Sequence, residues 1–82
     1  MRTTERLSAP AYADLVRDVA AWVEENTSAT YRAIARWFRV TYAEIDDIIG
    51  DSEAYGPKLR LRAGVYARSV GETIVEIEKE QP

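Results

Sequence analysis

Residues 28–49, SATYRAIARWFRVTYAEIDDII, carry two amphipathic helical patterns separated by a few residues. In the first, Tyr31, Ile34, Ala35 and Phe38 recur at i, i+3, i+4 and i+7, the apolar stripe of a helix that packs on one side. In the second, Ile45, Ile48 and Ile49 make a shorter stripe, and the interval between them leaves room only for a sharp turn. Capping chemistry marks the second start. Thr41 is placed as N-cap, Glu44 as its capping-box partner three residues on, and Val40 with Ile45 as a hydrophobic staple. Ser28 or Thr30 is placed to cap the first helix.

Outward from this stretch, the totals bound what the chain can be. Its 82 residues suffice for one domain, read as 10–82 behind a loose arm at 1–9. A hydrophobic fraction of 46% with 30% charged residues belongs to a folded chain rather than a disordered one. No apolar run approaches the ~20 residues that span a bilayer, and residues 1–10 lack the apolar centre of a signal peptide. The expectation is a cytoplasmic protein that avoids membranes. With no cysteine and no histidine, the strongest nucleophile, the commonest general base and the commonest metal ligand are all missing. The chain reads as a binder without cofactor or metal, and not as an enzyme.

The net charge of −3 is mild, but its distribution is uneven. Residues 31–40 carry Arg32, Arg36 and Arg39 and no acid, and residues 55–71 carry Lys58, Arg60, Arg62 and Arg68 and no acid. Between them stand Glu44, Asp46, Asp47, Asp51 and Glu53 without a base. Blocks of this kind make a molecule with charged faces, so the overall balance says little about its partner. At about 100° per residue the three arginines lie within about 60° of one another, off the apolar stripe. They form a basic ridge, which is either a solvated face or a binding surface.

On the N-terminal side, Arg2 and Arg6 belong to the arm. Ser8 is a plausible N-cap, Pro10 falls in a first helical turn, and Tyr12, Leu15, Val16, Val19, Trp22 and Val23 trace an apolar face to about Asn26. Trp22 reads as a core anchor, while Trp37 points off the second helix's stripe. The third helix is expected from Tyr42 to about Gly50, with Ala43, Asp46, Asp47 and Gly50 outward and a loop over Asp51–Pro57. Asp47 and Asp51 stand four apart, yet nothing matches a hard-cation loop. Beyond Pro57 the period becomes two. An antiparallel hairpin is expected with strands near Gly64–Val70 and Glu72–Glu78, Gly64 and Gly71 marking turns, and a short extra strand at Lys58–Arg62.

The central stretch resembles the helix-turn-helix family. Its pattern is met by Ala35 where the helices cross, by Val40 and Thr41 after the turn, and by Ile45 and Ile48. Arg39 departs from it, since the family usually has glycine there; the turn is either wider or left-handed at Arg39. Three helices followed by a hairpin extend the resemblance to the winged helix, an α+β, mainly α fold: a three-helix bundle with a C-terminal antiparallel β-hairpin wing.

That resemblance implies a small DNA-binding protein of regulatory type whose partner is double-stranded DNA. The third helix would enter the major groove, with Thr41, Tyr42 and Ala43 at its leading end. The wing would lie along the backbone through Lys58, Arg60, Arg62 and Arg68, with Tyr66 as a stacking surface and Glu76, Glu78 and Glu80 turned away. Arg32, Arg36 and Arg39 would add backbone contacts. Arg60 and Arg62 read equally well as the solvent side of an edge strand, where charge discourages aggregation. Against base reading, Asp46 and Asp47 sit on the outward face. Each unit charge held ~8 Å from a phosphate costs about 2 kcal/mol at an effective dielectric near 20, before salt screening. The competing expectation is therefore a protein-interaction module in which Asp46, Asp47 and Asp51 dock a basic protein. A homodimer paired through the first helix or a strand edge fits either expectation.

Overall fold

The computed structural model describes residues 9–64 and 67–79. Its elements run α1 (Ala9–Glu25), β1 (Ser28–Thr30), α2 (Tyr31–Phe38), α3 (Tyr42–Tyr55), β2 (Leu59–Leu61), a 3-10 turn (Val70–Glu72) and β3 (Ile74–Ile77). This is an α+β chain, mainly helical, with three helices and one antiparallel sheet of order β1-β3-β2. Ser8, Arg2, Arg6, Tyr66 and Glu80 lie outside the described residues.

The helices begin where their patterns place them. Val16, Val19 and Val23 of α1 are buried, as are Tyr31 and Ile34 of α2 and Ile45 and Ile48 of α3, and together they make the core with Val40. Thr30 caps α2, its hydroxyl accepting from the Ala33 N–H at 3.1 Å, which settles the choice against Ser28. At the start of α3 the full capping box is present: Thr41 Oγ1 accepts from the Glu44 N–H at 3.1 Å, and the Thr41 N–H donates to Glu44 Oε1 at 2.6 Å. The turn between α2 and α3 is tight because Arg39 is left-handed, at φ 58 and ψ 48. An asparagine or glycine would hold that conformation at less cost.

Three features differ from the sequence reading. First, α3 continues to Tyr55 instead of stopping near Gly50. Most of the loop expected over Asp51–Pro57 is thus helix, held by contacts that local composition does not reveal. Ser52 is fully buried, its hydroxyl donating to the Ile49 carbonyl at 2.8 Å and accepting from the Leu59 N–H at 2.8 Å. Tyr55 packs edge-on against Tyr12 at 6.2 Å. Second, the polar connector after α1 contains β1, whose Ser28, Ala29 and Thr30 pair with Glu76, Val75 and Ile74. A strand this short, with a single buried residue, leaves no periodic trace.

Third, the hairpin uses other strands than expected. β3 pairs with β2, in the register Leu59↔Ile77, Arg60↔Glu76 and Leu61↔Val75, so the segment read as a mere extension is the true partner. The expected strand over 64–70 does not form among the described residues. Val70 is 56% exposed, and what decides the pairing is that Leu59 and Val75 are the residues seated in the core. Gly64 turns the chain at φ 76. Gly71 belongs to the 3-10 turn and is buried, and a Cβ there would meet the Tyr42 hydroxyl at 2.6 Å and Arg32 at 3.0 Å.

Candidate nucleic-acid interface

The ten basic, hydroxyl and small residues read as DNA contacts separate into two groups. In the first, α2 presents Arg32 and Arg36, the left-handed corner presents Arg39, and α3 begins with Thr41, Tyr42 and Ala43. All six are exposed. Among the described residues none of the three arginines has an ion-pair partner. Arg39, at the left-handed C-cap of α2, leaves the helical row of Arg32 and Arg36. Tyr42 packs edge-on against Tyr31 at 5.9 Å, and its hydroxyl and the Arg32 guanidinium both lie close over Gly71. The close approach at Gly71 was not visible in the sequence, where this glycine reads only as a turn.

The second group lies on the hairpin and is largely neutralised. Arg60 donates from Nε to Glu76 Oε2 at 2.9 Å and Arg62 from Nε to Glu76 Oε1 at 2.8 Å. Lys58 Nζ stands 3.8 Å from Glu78 Oε1. The resemblance turns Glu76 and Glu78 away from DNA. The register puts Arg60 directly opposite Glu76, on one face of the sheet, so the charges meet instead. The hydrogen bonds from Arg62 and Arg60 hold the Glu76 carboxyl below the usual carboxylate range. A shallow cleft of about 290 Å³ beside them mixes Arg60, Arg62 and Lys79 with Glu24 and Glu76, so it offers no single sign to a ligand. Of the hairpin set, Arg68 alone, an exposed residue, makes no ion pair among the described residues.

The outward face of α3 is as expected at Ala43, Asp46, Asp47 and Gly50, all exposed. Two of the acids are held from behind by phenols, one buried (Tyr31) and one half-buried (Tyr12). The Tyr31 hydroxyl donates to Asp46 Oδ1 at 2.5 Å and the Tyr12 hydroxyl to Asp51 Oδ2 at 2.6 Å. Burial first, then these hydrogen bonds, push both phenols well above their ordinary range. Neither bond was legible, since each spans a sequence distance that only the packed helices close. Asp51, moreover, stands in α3 and not in a loop. Among the described residues no three carboxylates converge on a point that could hold a cation, and no helix is long and apolar enough to cross a membrane.

Comparison of the chain with protein-family models, curated proteins and solved structures gives no match.

Proposed function

We propose that this chain is a winged helix-turn-helix domain that binds duplex DNA. Arg32, Arg36, Arg39 and Arg68 would touch the backbone, and Thr41, Tyr42 and Ala43 would lead α3 toward the groove. The element order supports the fold: helix, short strand, two helices joined by a capped tight turn, then a hairpin whose second strand closes a sheet with both others. The observation that carries the binding reading is the trio Arg32, Arg36 and Arg39, exposed and without acidic partners among the described residues, on α2 and the corner that leads into α3. Phosphate contact of this kind fixes orientation on a duplex and supplies most of the affinity. Lys58, Arg60 and Arg62 have a smaller part in this proposal than the resemblance gave them, because Glu76 and Glu78 already occupy them.

That same neutralisation favours a second reading, in which Asp46, Asp47 and Asp51 dock a basic protein. Winged helices serve in both roles, and fold does not choose between them. The double substitution Asp46→Asn, Asp47→Asn separates the two. Asparagine can still accept from Tyr31, so the fold is kept while two negative charges leave the surface. Under the DNA reading, affinity for a short duplex rises about tenfold or more at low salt. If duplex affinity is unchanged while binding to a basic protein partner weakens, the second reading takes its place.

A further inference from the structure

The interface above leaves unused the most exposed large apolar side chain among the described residues, Trp37, 68% of which is open to solvent. Trp37 is not a loose aromatic. Its ring is stacked on Trp22 of α1, centroids 5.8 Å apart and planes at 16°, and Trp22 is in turn held edge-on by Phe38 at 5.8 Å. The stack fixes the Trp37 ring in place and leaves its other face bare. A large rigid ring presented this way has the character of a binding hot spot.

What flanks the ring decides what covers it. On α1, Asp18 and Glu25 stand one turn before and one turn after Trp22, within about 60° of it around the helix and away from the core side. Both are exposed, and neither has an ion-pair partner among the described residues, Arg17 being engaged by Asp14 instead. On α2, Arg36 is next in sequence to Trp37, about 100° around the helix on the solvent side, and it too is exposed and without a partner among the described residues. The surface therefore runs from carboxylates through an aromatic seam to a guanidinium, none of them ion-paired among the described residues.

Such a surface is complementary to itself. We propose that it is a two-fold contact occupied by a second copy of this chain. Trp37 of each copy lies at the centre, and Asp18 and Glu25 of α1 face Arg36 of α2 in the opposite copy. A two-fold axis through the seam turns the acidic side of one copy onto the basic side of the other, as an isologous interface requires. Both halves of the charge match are present on one chain, which a foreign partner would have to supply anew. Arg36 is the one residue shared with the nucleic-acid reading, and self-association is measured without nucleic acid, so each proposal can fail alone.

The test is sedimentation of the full chain at low salt over a range of concentrations. The mass is expected to rise from the 9.3 kDa of one chain toward twice that value. Trp37→Ala, at an exposed position whose helicity circular dichroism will check, should weaken association about thirtyfold or more. Asp18→Lys with Glu25→Lys should also abolish it, and adding Arg36→Glu to that pair should bring it back, since the reversed charges match again. A single-chain mass at every concentration overturns the proposal, including the case where the monomer instead takes up an arginine-rich peptide. So does a dimer indifferent both to Trp37→Ala and to the charge reversals.

Discussion

Arg39 occupies the left-handed corner, φ 58, where a side chain raises the energy of the backbone. A glycine would be at ease there, yet the arginine stands beside the start of α3 with no ion-pair partner among the described residues. If its role is to meet a phosphate, Arg39→Gly divides stability from binding. The urea midpoint should stay level or correspond to a gain of up to ~1 kcal/mol, while the salt slope of duplex binding becomes shallower by about 0.9. A clear loss of stability would mean instead that the side chain packs. Tyr12 and Tyr31 make the complementary case, since their hydroxyls are held by Asp51 and Asp46. Both phenols are raised in the folded chain, so their contribution is complete below the ordinary phenol value of about 10 and is lost as pH climbs past it. Glu76 has the opposite sign. Its lowered value gives stability that is present above the ordinary carboxylate range and is lost as pH falls through it. Denaturant midpoints followed across pH should thus fall at both ends, and Tyr31→Phe should flatten the alkaline limb.

Among the elements, the pair α2 and α3 was legible because its signals are local. A stripe at helical spacing and a capping box lie within a few residues of each other, and the structure has both. The sheet was not legible to the same degree. β1 is three residues long, and β2 was distinguishable from the 64–70 segment only by which residues reach the core. The extent of α3 also depended on a distant contact. Ser52 accepts from the buried N–H of Leu59 in β2, satisfying a donor that no strand pairs. Ser52→Ala leaves that buried N–H without an acceptor and is expected to cost about 1–3 kcal/mol, with faster amide exchange at Leu59. An unchanged midpoint would show that water or a shifted backbone takes over the hydroxyl's place.

For the whole molecule, the charge blocks along the chain show which segments are charged but not which charges pair. Arg60 and Glu76 stand 16 positions apart, and only the strand register sets them opposite each other. The net effect moves the unpaired positive charge from the hairpin to α2 and the corner. Bases there face outward beside an acidic α3, so the molecule has two unlike surfaces next to one another. The distinction matters for how tightly a duplex could be held. Four arginines without an ion pair among the described residues, Arg32, Arg36, Arg39 and Arg68, would release about four counterions per chain, and the hairpin pairs almost none.

The direct measurement is duplex affinity against salt for the wild-type chain and for the triple change Arg32→Ala, Arg36→Ala, Arg39→Ala. The account predicts a log–log slope of about −3 to −4 per chain, reduced to about −1 in the triple variant, with Lys58→Ala, Arg60→Ala, Arg62→Ala leaving it nearly intact. Binding that ignores salt, or a slope that collapses on changing the hairpin residues and survives the loss of the α2 arginines, would contradict it.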